Sequence, residues 1–381
     1  MTMRALVTGG AGFIGSHVAD ALLGAGYDVT ALDDLSTGRL ENLPAGIHLE
    51  RHDIRSPEAA RLVRDGGFAV VCHLAAQIDV RKSVADPVED ASRNILGSLN
   101  LLEAVRHASA RPRFVFSSTG GAVYGDFVAP PSDEAQPKDP ESPYGIAKLS
   151  VEYYLAYYGR IHRLDVTALR YANVYGPRQD PHGEAGVVAI FCQRLLAGRG
   201  LTVFGDGEQT RDYVYVGDVA RANLMAVRAA LPSAGRVDDR SFNIGTGVAT
   251  SVNTLAAALQ RAAGTALPVE HAPERPGEQR RSFIRNAKAK AALGWTPETT
   301  LDAGLRATYD WFRARMACDR GDFAAYWRLR REAETARRSA RGDAREARRQ
   351  AVRDALAGLR AGDVIGVPGA GRRGLGVVLS L

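Results

Sequence analysis

Sulfur and tryptophan are scarce in this chain of 381 residues, which holds three cysteines, four methionines and three tryptophans. Cys72, Cys192 and Cys318 are far apart, odd in number and outside any CxxC or His/Cys ligand spacing. Neither a disulfide framework nor a structural zinc site is therefore expected, and no other metal site is read. No run of 18 apolar residues is present, and MTMRALVTGG leads straight into a strand-like pattern without a cleavable leader. The expectation is a chain that does not span a membrane and works in the cytoplasm. Lysine is rare too, with five against 44 arginines.

What is present is 45% hydrophobic residues, ample for a core. The formal charge of +6 invites a nucleic-acid reading, but residues 1–318 hold 35 basic and 35 acidic residues, and the surplus lies in residues 319–381 with 14 arginines and eight acids. A balanced main body offers no electrostatic footprint for DNA or RNA, and only the tail has one.

Strand-like and helix-like stretches alternate through the first half: RALVTG, a helix from about Ile14 to Gly24, YDVTALD, HLERHD, FAVVCHLA, RFVFSS and DVTALRYANV, with helices near 88–108 and 144–160. Strands separated by helices of this length predict an α/β fold, a doubly wound parallel sheet of the Rossmann kind. The expected division is a dinucleotide-binding domain over 1–176, a smaller αβ substrate lobe over 177–318 with segments returning to the first, and an Arg-rich extension over 319–381. Helices are expected near 186–198 and from Leu301 to about Arg315.

Directly after the first strand, TGGAGFIG places Gly9, Gly12 and Gly15 at G-x-x-G-x-x-G spacing, with Phe13 and Ile14 opening a helix. Glycines allow close backbone approach to a pyrophosphate, and the helix start presents free N–H groups to it. Asp33, 18 residues beyond Gly15 at the end of the next strand, stands where a carboxylate grips an adenosine ribose diol and repels a 2′-phosphate. NAD is favoured, and nearby Arg39 keeps NADP open. Further on, FSSTGGAVYG puts Ser117, Ser118 and Thr119 at a strand end, and SPYGIAK sets Tyr144 four residues before Lys148 on one helix face. A free tyrosine has a pKa of about 10. A cationic lysine and a positive nicotinamide both favour the phenolate, so Tyr144 can take a proton from an alcohol while hydride leaves the same carbon.

The motifs TGGAGFIG, Asp33, HLAAQ, FSSTGGAVYG, SPYGIAK and LRYANVYGPRQDP, in this order, closely resemble the extended short-chain dehydrogenase/reductase family. Within it they resemble the nucleotide-sugar epimerases, above all those acting at C4 of UDP-glucose and UDP-galactose. The resemblance covers residues 3 to about 315. It implies Tyr144 as general base and acid, Lys148 tuning it and holding the nicotinamide ribose, and Thr119 as the hydroxyl partner. GGAVYG is one residue longer than the commoner form, so Ser118 remains an alternate. For the cofactor it implies Asp33 and Asp34 at the ribose, Asp53 and Ile54 at the adenine, Leu74, Ala75 and Ala76 as backbone lining, and Asn94 on a helix nearby. For the substrate it implies Asn173, Val203 and Phe204 against the nucleotide, and Arg211 and Arg275 on the diphosphate, where guanidinium forks suit phosphate oxygens. Ser282 falls where residue bulk limits room around the sugar C2 substituent, and its small side chain implies that UDP-GlcNAc and UDP-GalNAc are accepted too. His73 reads as a strand-end residue without chemistry.

Dehydratases of the family follow the threonine with an Asp-Glu pair, whereas Gly120 and Gly121 stand here. NAD-dependent 4-epimerisation of a UDP-hexose is therefore the expected reaction. Another nucleotide-sugar epimerase or reductase, or an NAD- and nucleotide-sugar sensor acting through the tail, is the alternative. A homodimer is expected through helices near 94–107 and 144–160, with Tyr153, Tyr154, Tyr157 and Tyr158 supplying apolar area. Arg285 replaces the usual helix-capping Asp before KAKAALGW, and Asn286 is expected to take over as cap. The tail reads as a long helix over 319–360 followed by two short strands about a glycine-rich turn. It resembles a stretch late in actinobacterial Ski2-like RNA helicases, without any motor motif, so no helicase activity is implied. A loosely docked appendage, an oligomerisation element and a contact for RNA or another anionic partner are its three open readings.

Overall fold

In the computed structural model, residues 2–126, 129–182, 186–233, 235–274 and 279–319 are described, together with short pieces of the remaining stretch. Residues 1–313 form one compact unit and residues 314–381 a second. In the second, Val364–Gly366 pairs antiparallel with Leu375–Val377, as the two short strands require. The expected helix over 319–360 falls largely outside the described residues.

The first unit contains strands β1 (Arg4–Thr8), β2 (Asp28–Leu32), β3 (His48–Glu50), β4 (Val70–His73), β5 (Arg113–Thr119), β6 (Val166–Tyr171), β7 (Asn173–Tyr175), β8 (Leu201–Phe204), β9 (Thr210–Arg211), β10 (Tyr213–Tyr215), β11 (Ser241–Ile244), β12 (Thr250–Ser251), β13 (Val269–Ala272) and β14 (Arg281–Ser282). Seven of them build one parallel sheet in the order β11-β6-β5-β4-β1-β2-β3. Winding reverses direction between β1 and β4, and the crevice at that switch point is where open α/β sheets take ligands.

Both faces of the sheet are covered, which is why its strands read as apolar runs rather than alternating ones. Helices Phe13–Gly24 and Val216–Arg228 seal one face with Val18, Leu22, Val219 and Phe242. Helices Pro57–Asp65, Gly97–His107 and Pro143–Ile161 seal the other with Val63, Leu101, Phe114, Val151 and Leu155. A third cluster, including Phe191, Leu195, Val203, Tyr213, Leu259 and Leu305, forms the interior of the smaller lobe.

Four details differ from the sequence expectations. The helix near 88–108 is broken into Pro87–Ala91, a π turn over Ser92–Leu96 and Gly97–His107. That wider turn lies where Asn94 is buried and holds Gln77, its Oδ1 accepting the Gln77 amide and its Nδ2 donating to the Gln77 carbonyl, both at 2.9 Å. Asn286 sits at the start of helix Ala287–Leu293 but does not cap it, and its side-chain Nδ2 donates to the Gly245 carbonyl at 2.7 Å. Tyr158 is buried in the core and donates to Glu103, so it adds nothing to an outer apolar face, unlike Tyr153, Tyr154 and Tyr157. Strand β11, which the sequence reading did not delimit, completes the sheet.

Candidate functional site

A cleft of about 860 Å³ runs from the glycine loop after β1, across the ends of β4 and β5, to the smaller lobe. Gly9 has φ +65°, and a Cβ there would meet the Ala75 amide nitrogen at 2.8 Å. At Gly15 a Cβ would lie 2.0 Å from the Gly9 carbonyl oxygen, so the loop closes on itself only without side chains. Helix Phe13–Gly24 starts here with no side-chain cap, leaving its first N–H groups available to an anion in the cleft.

The acid at the end of β2 is partly committed already. Asp33 accepts from the Ala11 amide at 3.0 Å and the Leu35 amide at 2.8 Å, and burial raises its pKa against the pull of those two bonds. Asp34 turns to Ser36, accepting from its amide at 2.8 Å and its hydroxyl at 2.6 Å. Arg39 faces Glu41 at 3.8 Å and Asp180 at 3.5 Å. At the far end of the cleft, Arg55 grips the Asp53 carboxylate, with Nη2 to Oδ2 at 2.6 Å, and so lowers its pKa. Ile54 and Arg93 line the cleft beside it.

The β4 end is held by a buried polar chain. The Thr8 hydroxyl accepts the Leu74 and Ala75 amides at 3.1 Å each and lies 2.7 Å from His73 Nδ1. Ser98 donates to the Asn94 carbonyl at 2.6 Å, which leaves its oxygen to accept from His73 Nε2 at 2.9 Å. His73 is thus a neutral bridge, and burial pushes its pKa down to about 3. Leu74, Ala75 and Ala76 line the cleft, whereas Asn94 acts one layer behind, through Gln77.

Two elements bring Thr119, Tyr144 and Lys148 to the cleft. Strand β5 ends at Thr119, and helix Pro143–Ile161 begins with Ser142 accepting the Gly145 amide at 3.1 Å and proline at the first helical position. Thr119, Tyr144 and Lys148 all line the same cleft. Lys148 Nζ donates to the Ser117 carbonyl at 2.8 Å and lies 4.7 Å from the Phe116 ring centre and 5.8 Å from that of Tyr144. Burial lowers the Lys148 pKa to about 8, opposed by the nearby Asp90 and Glu152 carboxylates. Ser118 also borders the cleft, but it is buried and its hydroxyl donates to Glu152 at 2.5 Å.

Toward the smaller lobe, Asn173, Val203, Phe204 and Arg211 line the cleft. Ser282 pairs in register with Arg211. A Cβ on Gly121 would stand 3.5 Å from Asn173 Oδ1, 3.9 Å from Thr119 Oγ1 and 4.0 Å from Ser282 Oγ, so these three side chains surround a position left empty by glycine. Arg275 lies outside the described residues. Glu152, Arg170, Asp90 and Asp212 were not singled out from the sequence, although Glu152 continues the four-residue spacing of Tyr144 and Lys148. Asp212 joins Asn173 and Ser282 through its backbone, its carbonyl accepting the Asn173 amide at 2.9 Å and its amide donating to the Ser282 carbonyl at 3.0 Å.

The sequence profile of the NAD dependent epimerase/dehydratase family matches residues 5–245. A UDP-glucose 4-epimerase of Mycolicibacterium smegmatis is 46% identical over 316 residues, 82% of this chain and 99% of that protein. Among solved structures, UDP-glucose 4-epimerase of Thermotoga maritima with UDP-glucose matches with a TM-score of 0.78 and 47% identity, covering 82% of this chain and 100% of that one. The UDP-glucose 4-epimerase of Thermus thermophilus in complex with NAD matches with a TM-score of 0.75 and 46% identity, over 82% of this chain and 99% of that one.

Proposed function

The chain belongs to the NAD dependent epimerase/dehydratase family, and on that premise we propose that it interconverts UDP-glucose and UDP-galactose by NAD-dependent epimerisation at C4. The observation that carries this reading is the convergence of Thr119, Tyr144 and Lys148 with the glycine loop in one cleft. NAD fits the residues present: the side-chain-free loop, the uncapped helix start and the acid after β2 form a cradle for a dinucleotide with a free ribose diol. Held there, NAD would supply the hydride acceptor and donor for sugar C4.

The protein's own groups handle the proton and the geometry. Tyr144 removes the proton of the C4 hydroxyl as the C4 hydrogen leaves as hydride, and gives it back to the C4 oxygen when the hydride is restored on the opposite face. Lys148 stabilises the phenolate by its charge. Thr119 hydrogen-bonds the C4 oxygen and keeps it in line. Arg211, joined by Arg275, grips the diphosphate, while Val203 and Phe204 flank the base, so the nucleotide stays anchored as the 4-keto sugar rotates. Gly120 and Gly121 supply no acid or base for eliminating water, which separates this site from the dehydratases of the family. Ser282 leaves space at C2, extending the substrates to UDP-GlcNAc and UDP-GalNAc. The working form is a homodimer packed through the outer face of helix Pro143–Ile161, where Ile146, Tyr153, Tyr154, Tyr157 and Ile161 are exposed. Its place is the cytoplasm, where cysteines stay reduced.

Purified protein is incubated with UDP-galactose or UDP-GlcNAc without added NAD. The expected result is conversion of both to their C4 epimers. Conversion of UDP-galactose alone would remove the reading of Ser282, and conversion of neither after NAD is supplied would remove the reaction.

A further inference from the structure

Arg170 and Glu152 are both completely enclosed, yet neither touches the cleft's reacting groups. Arg170 Nε lies 3.0 and 3.1 Å from the two Glu152 oxygens, and Nη2 donates to Oε2 at 2.5 Å while also reaching Asp238 at 2.8 Å. A buried ion pair is a weak source of stability, because desolvation offsets much of its attraction. Its location suggests another use.

Ser118, Arg170 and Asn243 stand side by side across β5, β6 and β11. Ser118 donates to Glu152 Oε1 at 2.5 Å. Arg170 Nη1 donates to the Tyr124 hydroxyl at 3.0 Å, which in turn donates to Asn243 Oδ1 at 2.7 Å. Ser118 immediately precedes Thr119, and Tyr124 lies five residues after it, in the irregular segment that leads from β5 to helix Pro143–Ile161. The segment carrying Thr119 is therefore fastened on both sides to one ion pair. Glu152 also sits on the helix of Tyr144 and Lys148, and Lys148 holds the Ser117 carbonyl. Side chains four residues apart on that helix thus make successive ties to the end of β5.

We propose that Glu152, acting with Arg170, is the positioning residue that sets Thr119 against Tyr144 and Lys148. This rests on the epimerase reading, in which Thr119 and Tyr144 act on one C4 oxygen while Lys148 supports the phenolate. Misplacement of a hydrogen-bonding group by a fraction of an ångström to an ångström is enough to lower the rate strongly, while binding of the nucleotide through the smaller lobe is left alone.

The test uses the full chain as purified and two variants, Ser118→Ala and Glu152→Gln, with kcat and KM for UDP-galactose and amide hydrogen exchange of peptides. The expected result is a kcat lower by about tenfold in Ser118→Ala and by more in Glu152→Gln, with KM unchanged. Exchange should quicken over residues 117–124 and not over 187–215. A wild-type kcat in either variant, a loss expressed in KM, or exchange that is unchanged or faster throughout the chain would overturn the proposal. If Glu152→Gln does not fold, Ser118→Ala decides. If the wild-type protein converts neither UDP-galactose nor UDP-GlcNAc, the reaction assigned above has failed, and the exchange data alone decide whether the tie exists.

Discussion

Lys148 is enclosed by Phe116, Tyr144 and the Ser117 carbonyl, and its pKa falls from 10.5 to about 8 through burial. Between those pH values the unfolded chain binds the proton more readily than the folded one, so stability rises with pH across the window. The penalty of burying the ammonium is complete below pH 8 and amounts to roughly 3 kcal/mol. Activity should move the other way, since phenolate stabilisation needs the charge: kcat should decline above about pH 8. Denaturant midpoints of the wild type and Lys148→Met, measured from pH 7 to 10, should show the wild type gaining relative to the variant as pH rises. A constant difference would contradict this account of Lys148. The tyrosine and lysine were legible in the sequence because their spacing and the residues around them form a motif. Glu152 and Arg170 were not, because what marks them is complete burial and mutual contact, which arise only when β5, β6 and the helix meet.

At the scale of elements, the glycine loop sets the sharpest constraint. Gly15→Ala would force a methyl carbon to 2.0 Å from the Gly9 carbonyl, a backbone atom with no rotamer to yield. The variant is expected to lose its retained NAD and to unfold at lower denaturant, read from the absorbance ratio of the purified protein and its unfolding midpoint. Retention of wild-type NAD content would show that the loop does not hold the dinucleotide. This loop was readable from its glycine spacing, and β1, β2, β4, β5 and β6 because strands buried on two faces leave apolar runs, while the half-exposed HLE of β3 was legible only from its place in the alternation. Strand β11 escaped because SFNI is short and half polar; its Asn243 is buried only because Glu134, Ser132, Arg285 and Tyr124 satisfy it. The π turn at Ser92–Leu96 has no sequence signature, being bound up with the contact between Asn94 and Gln77 across the fold.

Across the whole molecule, the outer face of helix Pro143–Ile161 presents Tyr153 at 58%, Tyr157 at 42% and Ile161 at 61% exposure. An apolar stripe of this kind opposite a catalytic face is suited to a partner helix of a second copy. Tyr153→Glu combined with Tyr157→Glu should convert a dimer to a monomer in light scattering while leaving the fold intact. A wild-type monomer would remove the homodimer, and an undisturbed dimer in the variant would place its interface elsewhere. The central claim is a reaction in which the hydrogen at C4 leaves and returns without exchanging with water. It is tested most directly with UDP-galactose deuterated at C4, incubated with the protein as purified and with Tyr144→Phe. The account predicts UDP-glucose that keeps its deuterium at C4, and a turnover reduced by about 10²-fold or more in the variant. Deuterium lost to solvent, a dehydrated product, or full turnover in Tyr144→Phe would contradict it.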